Sequence, residues 1–160
     1  MKITELNDRA EAILKSNIEI LYSQLQLAIK NYVRHGHSSG EFCYINAYLS
    51  ATLNAVISYV DRLIKIGRIT ETEIIEALKF ANNLQKHNPG LISISKSRGG
   101  IEFPIAFEDG FEILEIEVVW DDCIALKSRK PSQKIAYEKC FQQKPVIETL
   151  EPIIRDLLLS

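Results

Sequence analysis

The sequence lacks the features that mark membrane, secreted or disulfide-stabilised proteins. Its 160 residues hold no apolar run near the roughly 18 residues of a membrane span. The N-terminal residues include charges throughout, without the apolar segment of a signal peptide. The three cysteines, Cys43, Cys123 and Cys140, are odd in number and form no CxxC pair, which argues against a disulfide framework. These absences predict a cytoplasmic protein with reduced thiols and no membrane association.

Motifs for cofactors and metals are also missing. The segment Lys96–Gly100 lacks the order of a phosphate-binding loop. His35 and His37 stand in a Gly/Ser-rich segment before Cys43, but no second ligand pair accompanies them, which favours a plain loop over a metal site. We therefore expect no metal and no cofactor.

The composition predicts one folded domain. Apolar residues make up 46% of the chain and charged residues 25%, the balance of an ordinary globular protein. The net charge of −2 excludes a binder that holds nucleic acid by overall positive charge, so such a partner would need a local basic patch.

The apolar pattern of the first half predicts three antiparallel helices. The expected ranges are Glu5–Arg34, Glu41–Ile66 and Glu71–Lys86, in which apolar residues recur every three or four positions. Gly67 is placed to end the second helix. The segment Thr70–Glu73 has the order of a capping box before the third.

After Gly90 the apolar period changes from 3.6 to 2, which predicts β structure. We expect a short strand over Leu91–Ser95, a turn at Lys96–Gly100, and paired strands inside Ile101–Trp120 with a turn at Asp109-Gly110.

The C-terminal segment predicts a basic loop and two helices. We expect the loop over Lys127–Lys134. Ser132 is the predicted cap of a helix that reaches about Gln142. Pro145 suits the first turn of the last helix, which Pro152 should kink or restart. The expected fold class is α+β in a single domain: an antiparallel helical bundle core (1–90), a β-hairpin or small antiparallel sheet (91–126) and C-terminal helices (127–160).

The first helix also predicts self-association. Its apolar stripe runs unbroken from Ala10 to Tyr32, which is longer than the third helix covers. We therefore expect a homodimer.

The end of the third helix holds the most informative polar cluster. Asn83 and His87 are four residues apart and share a helix face, whereas Asn82 lies about 140° from His87. The cluster resembles the motif of the HEPN superfamily, small helical domains of prokaryotic defence and toxin–antitoxin systems. That motif is an arginine, a polar residue, three further residues and a histidine. Asn82 stands at the arginine position, and Asn83 and His87 match the other two.

The resemblance covers about residues 5–90 and implies a homodimer that cleaves RNA without metal. It implies catalytic roles for His87, Asn82 and Asn83, with the histidine moving protons. An asparagine cannot hold a phosphate as a guanidinium does, so the cleavage is expected to be weak or lost. Lys86 would supply only a point charge.

Two basic segments are the candidate phosphate contacts beside Lys86. One contains Lys96 and Arg98, and the other contains Lys127, Arg129 and Lys130. Trp120 and Tyr137, near the second segment in sequence, are candidates for base stacking. A solvated lysine-rich loop is the competing interpretation.

The first functional hypothesis is a defence or toxin–antitoxin type protein that contacts RNA or a partner protein, with weak or lost ribonuclease activity. The second is a non-enzymatic interaction module, such as an antitoxin, immunity or inhibitor protein. A ligand-binding regulatory domain is the third. The surroundings of His87 discriminate between them: a cleft lined by Lys86, Arg98 or Lys130 favours RNA contact, and an isolated, solvated histidine favours the interaction module.

Overall fold

The computed structural model describes residues 3–34, 39–87, 90–98, 114–122 and 130–160, which form five helices and two strands. The regular structure before residue 88 is entirely helical within these ranges: α1 spans Ile3–Arg34, α2 spans Ser39–Lys65 and α3 spans Glu73–His87. The predicted α+β class, a helical core with a small antiparallel sheet, is confirmed.

Gly67 ends α2 as its position in the sequence predicts. Its φ of +74° lies in the left-handed region. The Gly67 N–H donates to the Ile64 carbonyl at 3.0 Å, and the Arg68 N–H donates to the Leu63 carbonyl at 3.0 Å. These two bonds form a Schellman motif, which satisfies the last carbonyls of the helix and turns the chain toward α3.

The start of α3 differs from the predicted capping box. The helix begins at Glu73, and the Ile75 N–H donates to the hydroxyl of Thr72 at 3.4 Å. Thr72 is therefore the cap, and Thr70 lies two residues before it. Glu73 instead forms an ion pair with Lys139 at 2.7 Å.

The sheet pairs two strands that are distant in sequence. Strand β1 (Ile92–Arg98) runs antiparallel to β2 (Leu114–Trp120), from the pair Ile92–Trp120 to the pair Arg98–Leu114. The predicted turn at Lys96–Gly100 is wrong in its first part, because Lys96–Arg98 continue β1. The predicted strand over Ile101–Phe107 and the turn at Asp109-Gly110 lie outside the described residues.

Two helices close the chain. Helix α4 spans Pro131–Cys140, with Lys130 at its N-cap, so Pro131–Lys134 are helical and not part of a loop. Ser132 does not cap α4, and its hydroxyl donates to Glu76 of α3 at 3.2 Å. Helix α5 spans Val146–Leu159 and continues through Pro152 without restarting.

The core lies where α1 packs along α2 and α3 packs against α4. The other edge of β2 meets the α4–α5 link, where the Gln143 N–H donates to the Trp120 carbonyl at 2.9 Å. No helix in the described ranges has the length and apolar content needed to cross a membrane. Fully buried side chains from six elements meet in this core, among them Ile18, Leu25, Leu49, Tyr59, Leu78, Trp120, Tyr137 and Leu150.

Candidate functional site

The polar residues at the end of α3 lie on two different faces. Asn82 is 4% exposed and belongs to the interior, whereas Asn83 and His87 are exposed. Asn82 and Gln85 are three residues apart, one helical turn, and both are buried. The structure therefore places Asn83 and His87 on the outer surface and separates both from Asn82.

The buried face forms a small polar cluster with α2. The Gln85 Nε2 donates to the carbonyl and the Oδ1 of Asn46, both at 3.3 Å. The Asn46 Nδ2 in turn donates to the Phe42 carbonyl at 3.1 Å. Asn82 Oδ1 and Gln85 Oε1 are buried and accept no hydrogen bond from the described residues. Sequence analysis missed Asn46 and Gln85, although Gln85 and Asn82 follow the buried Leu78 at helical spacing.

Of the basic residues expected around His87, Lys130 lies instead near Glu71, just before the start of α3, whereas His87 ends that helix. His87 forms no hydrogen bond or ion pair with a described residue, and it lines neither the groove between α1 and α2 nor the cavity between α4 and α5. Lys86 and Lys130 are exposed. The backbone of Lys96 and Arg98 lies in β1, and Lys127 and Arg129 lie outside the described residues, as do the side chains of Lys96 and Arg98.

Trp120 and Tyr137 are core residues, so their predicted role in base stacking is wrong. Both are 0% exposed. Trp120 stacks on Phe141 at a centroid distance of 5.0 Å, and its Nε1 donates to Thr149 Oγ1 at 2.6 Å. The Tyr137 hydroxyl donates to the Asp121 carbonyl at 2.9 Å. A base cannot reach either ring, because neither side chain is exposed to solvent.

The metal hypothesis finds no cluster to support it in the described ranges. Cys43 is exposed on α2, and His35 and His37 lie outside the described residues. No group of three or more His, Cys, Asp or Glu side chains within those ranges is close enough to hold an ion.

The exposed apolar side chains of α1 form a regular row. Ile13 is 52% exposed, Ile20 57% and Leu27 49%, and they stand seven residues apart. Seven residues are nearly two helical turns, so the three side chains lie on one face, spread over about 21 Å. The apolar stripe from Ala10 to Tyr32, from which self-association was predicted, lies on the opposite face. Its members Ile18 and Leu25 are buried in the core of the chain itself, so that stripe is not free to bind a second copy. We call the row of Ile13, Ile20 and Leu27 the α1 stripe; the pattern is visible in the sequence, but sequence analysis missed it.

A groove between α1 and α2 borders the C-terminal end of the α1 stripe. Its volume is about 260 Å³. One oxygen of Glu41, Oε2, is buried there. Burial and the Glu41 carboxylate together raise the pKa of the neighbouring Tyr32. The groove combines a carboxylate, two amides and two phenols, and is lined by Gln24, Leu27, Ala28, Asn31, Glu41, Tyr44 and Tyr48.

A second cavity of about 430 Å³ lies between α4, α5 and the start of α3. Its lysines are already engaged: Lys139 pairs with Glu73, and Lys144 donates to the carbonyls of Lys139 and Cys140 at 2.9 Å. These bonds close the end of α4, so the cavity offers mainly an apolar wall.

Comparison of the chain with protein-family models, curated proteins and solved structures found no match. The HEPN resemblance therefore stays a prediction that rests on Asn82, Asn83 and His87.

Proposed function

We propose that this chain is a non-enzymatic protein-interaction module and that two copies associate through the α1 stripe. The observation that carries the proposal is the row of half-exposed Ile13, Ile20 and Leu27. Removing such apolar surface from water stabilises an interface by about 25 cal/mol per Å². Helix α1, about 48 Å long at 1.5 Å per residue, is long enough to contribute to an interface of ordinary size.

The surroundings of His87 favour this interpretation over a ribonuclease. A metal-free ribonuclease site needs a cation that holds the phosphate beside the histidine. Asn82 is buried and His87 is exposed, so an interaction module explains the arrangement more simply. RNA contact through Lys86 and Lys130 stays a prediction. The exposed thiol of Cys43 fits the reducing cytoplasm that we infer for the protein.

Light scattering on the purified chain at tens of micromolar tests the proposal. We expect a dimer for the unaltered chain and a monomer for Ile20→Lys, because the interface would desolvate the new charge. Ile135→Lys on α4 is the matched control, since Ile135 is 61% exposed, close to the 57% of Ile20. An unaltered chain that stays monomeric, or an Ile20→Lys variant that stays dimeric, overturns the proposal.

A cleavage assay with single-stranded RNA and a metal chelator tests the rival function. We expect the unaltered chain to show no RNA cleavage that depends on His87, so His87→Ala should not lower the measured rate. The melting temperature of His87→Ala should match that of the unaltered chain, because the exposed side chain contributes little packing. Vigorous cleavage that His87→Ala abolishes would restore the ribonuclease hypothesis.

A further inference from the structure

The α1 stripe is symmetric about Ile20. Ile13 and Leu27 each lie seven residues away, about 10.5 Å along the helix axis. A twofold axis through Ile20 that pairs two antiparallel α1 helices therefore places Ile13 of each copy opposite Leu27 of the other. A parallel pair also matches apolar side chains, so the orientation must be decided by the flanking charges.

The flanking charges favour the antiparallel pair. A parallel arrangement sets Arg9 opposite Arg9 and Arg34 opposite Arg34 of the second copy, and such like-charge contacts are unfavourable. In the antiparallel pair, Arg9 comes opposite Asn31, because each lies eleven residues from Ile20, about 16.5 Å along the axis. Arg9 is exposed.

Asn31 lies in the α1–α2 groove, and the chemistry of that groove suits a guanidinium. The groove provides the Glu41 carboxylate and the rings of Tyr44 and Tyr48. The negative charge of Glu41 attracts a guanidinium, and phenol rings stack on its planar face. Tyr44 is 63% exposed, so its ring is accessible to an incoming side chain.

We infer that two copies pair their α1 helices antiparallel about Ile20, and that Arg9 of each copy enters the α1–α2 groove of the other beside Glu41 and Tyr44. This inference rests on the proposed function and adds the orientation, the register and the specifying contact. The occupant of the groove is then a side chain of a second copy of this chain.

Cysteine cross-linking under mild oxidation tests the orientation. Every variant also carries Cys43→Ser, which removes the exposed native thiol. The chain with Cys43→Ser alone gives the level of cross-linking in the absence of an added cysteine. We expect Ile20→Cys to cross-link with itself, and Ile13→Cys to cross-link with Leu27→Cys when the two are mixed. Neither Ile13→Cys nor Leu27→Cys should cross-link with a second copy of the same variant. Cross-linking of Ile13→Cys with itself indicates a parallel pair and overturns the inference.

A charge exchange tests the Arg9 contact. Arg9→Glu and Glu41→Arg should each raise the dimer Kd at least roughly tenfold, and the double variant should recover most of the loss. Arg155→Glu, exposed on α5, is the control and should leave the Kd unchanged. If the double variant does not recover the dimer Kd, although Ile20→Lys still dissociates the dimer, the Arg9 contact is overturned and the proposed function is not. An unaltered chain that is monomeric removes the proposed function as well.

Discussion

Arg68 donates from a single guanidinium nitrogen to both carboxylate oxygens of Glu11, at 2.8 and 2.9 Å. The contact joins α1 to the segment that follows α2, 57 residues away in sequence. The Tyr59 hydroxyl adds a third hydrogen bond to Glu11 at 3.2 Å. Glu11 therefore fastens the N-terminal half of α1 to the end of α2, the same two helices that form the groove at their other end.

We expect Glu11→Gln to weaken the fold more at neutral pH than in acid. Burial raises the pKa of Glu11, but hydrogen bonds and charge from Arg68, with Tyr59, outweigh burial and leave the pKa below its ordinary 4.5. A lowered folded-state pKa contributes stability above that ordinary value, and the contribution is lost as the pH falls through the folded-state pKa. Arg68 is half-exposed, so the loss at pH 7 should be about 0.5–1 kcal/mol.

Urea unfolding at neutral pH and at about pH 3, well below the ordinary pKa of a glutamate, measures this dependence. Glu19→Gln, an exposed glutamate in the middle of α1, is the control and should show no difference at either pH. An equal loss for Glu11→Gln at both pH values would contradict a role for the ionised carboxylate.

Gly67→Ala should destabilise the chain by about 1 kcal/mol, since a β-carbon is strained at φ +74°. The added carbon would meet no atom within 4 Å, so the cost comes from the backbone alone. Gly67→Asn should cost less, because asparagine tolerates the left-handed region better. Thermal unfolding of the two variants checks the order; equal losses would point to a cause other than backbone strain.

Thr149→Val should cost about 1–3 kcal/mol, because it removes the acceptor of the buried Trp120 Nε1 and leaves that donor unpaired. Thr149→Ser keeps the hydroxyl and should lose less. Trp120 is the only tryptophan, so its fluorescence reports urea unfolding directly. A valine variant as stable as the serine variant would mean that the hydrogen bond contributes nothing net.

The helices could be predicted from the sequence because the residues that mark a helix and its end are close together along the chain. The end of α2 at Gly67 follows from glycine's freedom at positive φ, and the apolar period marks α1 to α3. The length of β1 depends on its partner Leu114–Trp120, sixteen or more residues away, and the polar residues at its end resemble a turn when considered alone.

The candidate site was harder to predict because burial is set by packing between elements. Trp120 and Tyr137 have charged neighbours in the sequence, which suggested an exposed stacking surface. The structure buries both rings, because Trp120 packs on Phe141 and Tyr137 packs on Phe80 of α3. The burial of Asn82 could be predicted from the sequence, because Leu78, Asn82 and Gln85 follow the spacing of one helix face and Leu78 is a core residue.

The last prediction compares two adjacent asparagines of α3. Asn82→Arg should destabilise the fold by about 3 kcal/mol or more, because it places a guanidinium in the interior without a partner. Asn83→Arg is the matched control; the residue is exposed, so the change should stay within about 0.5 kcal/mol. Urea unfolding of the two variants gives the difference directly.

The same pair decides whether a phosphate-holding arginine fits beside His87. If the side chain at position 82 points into the core, Asn82→Arg cannot present its charge to RNA, and metal-free cleavage should not rise. A stable Asn82→Arg variant that cleaves RNA, and that loses the cleavage with His87→Ala, would show that position 82 reaches the surface. That result would favour the HEPN interpretation over the interaction module, because it would show that the unaltered chain is inactive only for lack of a cation beside His87.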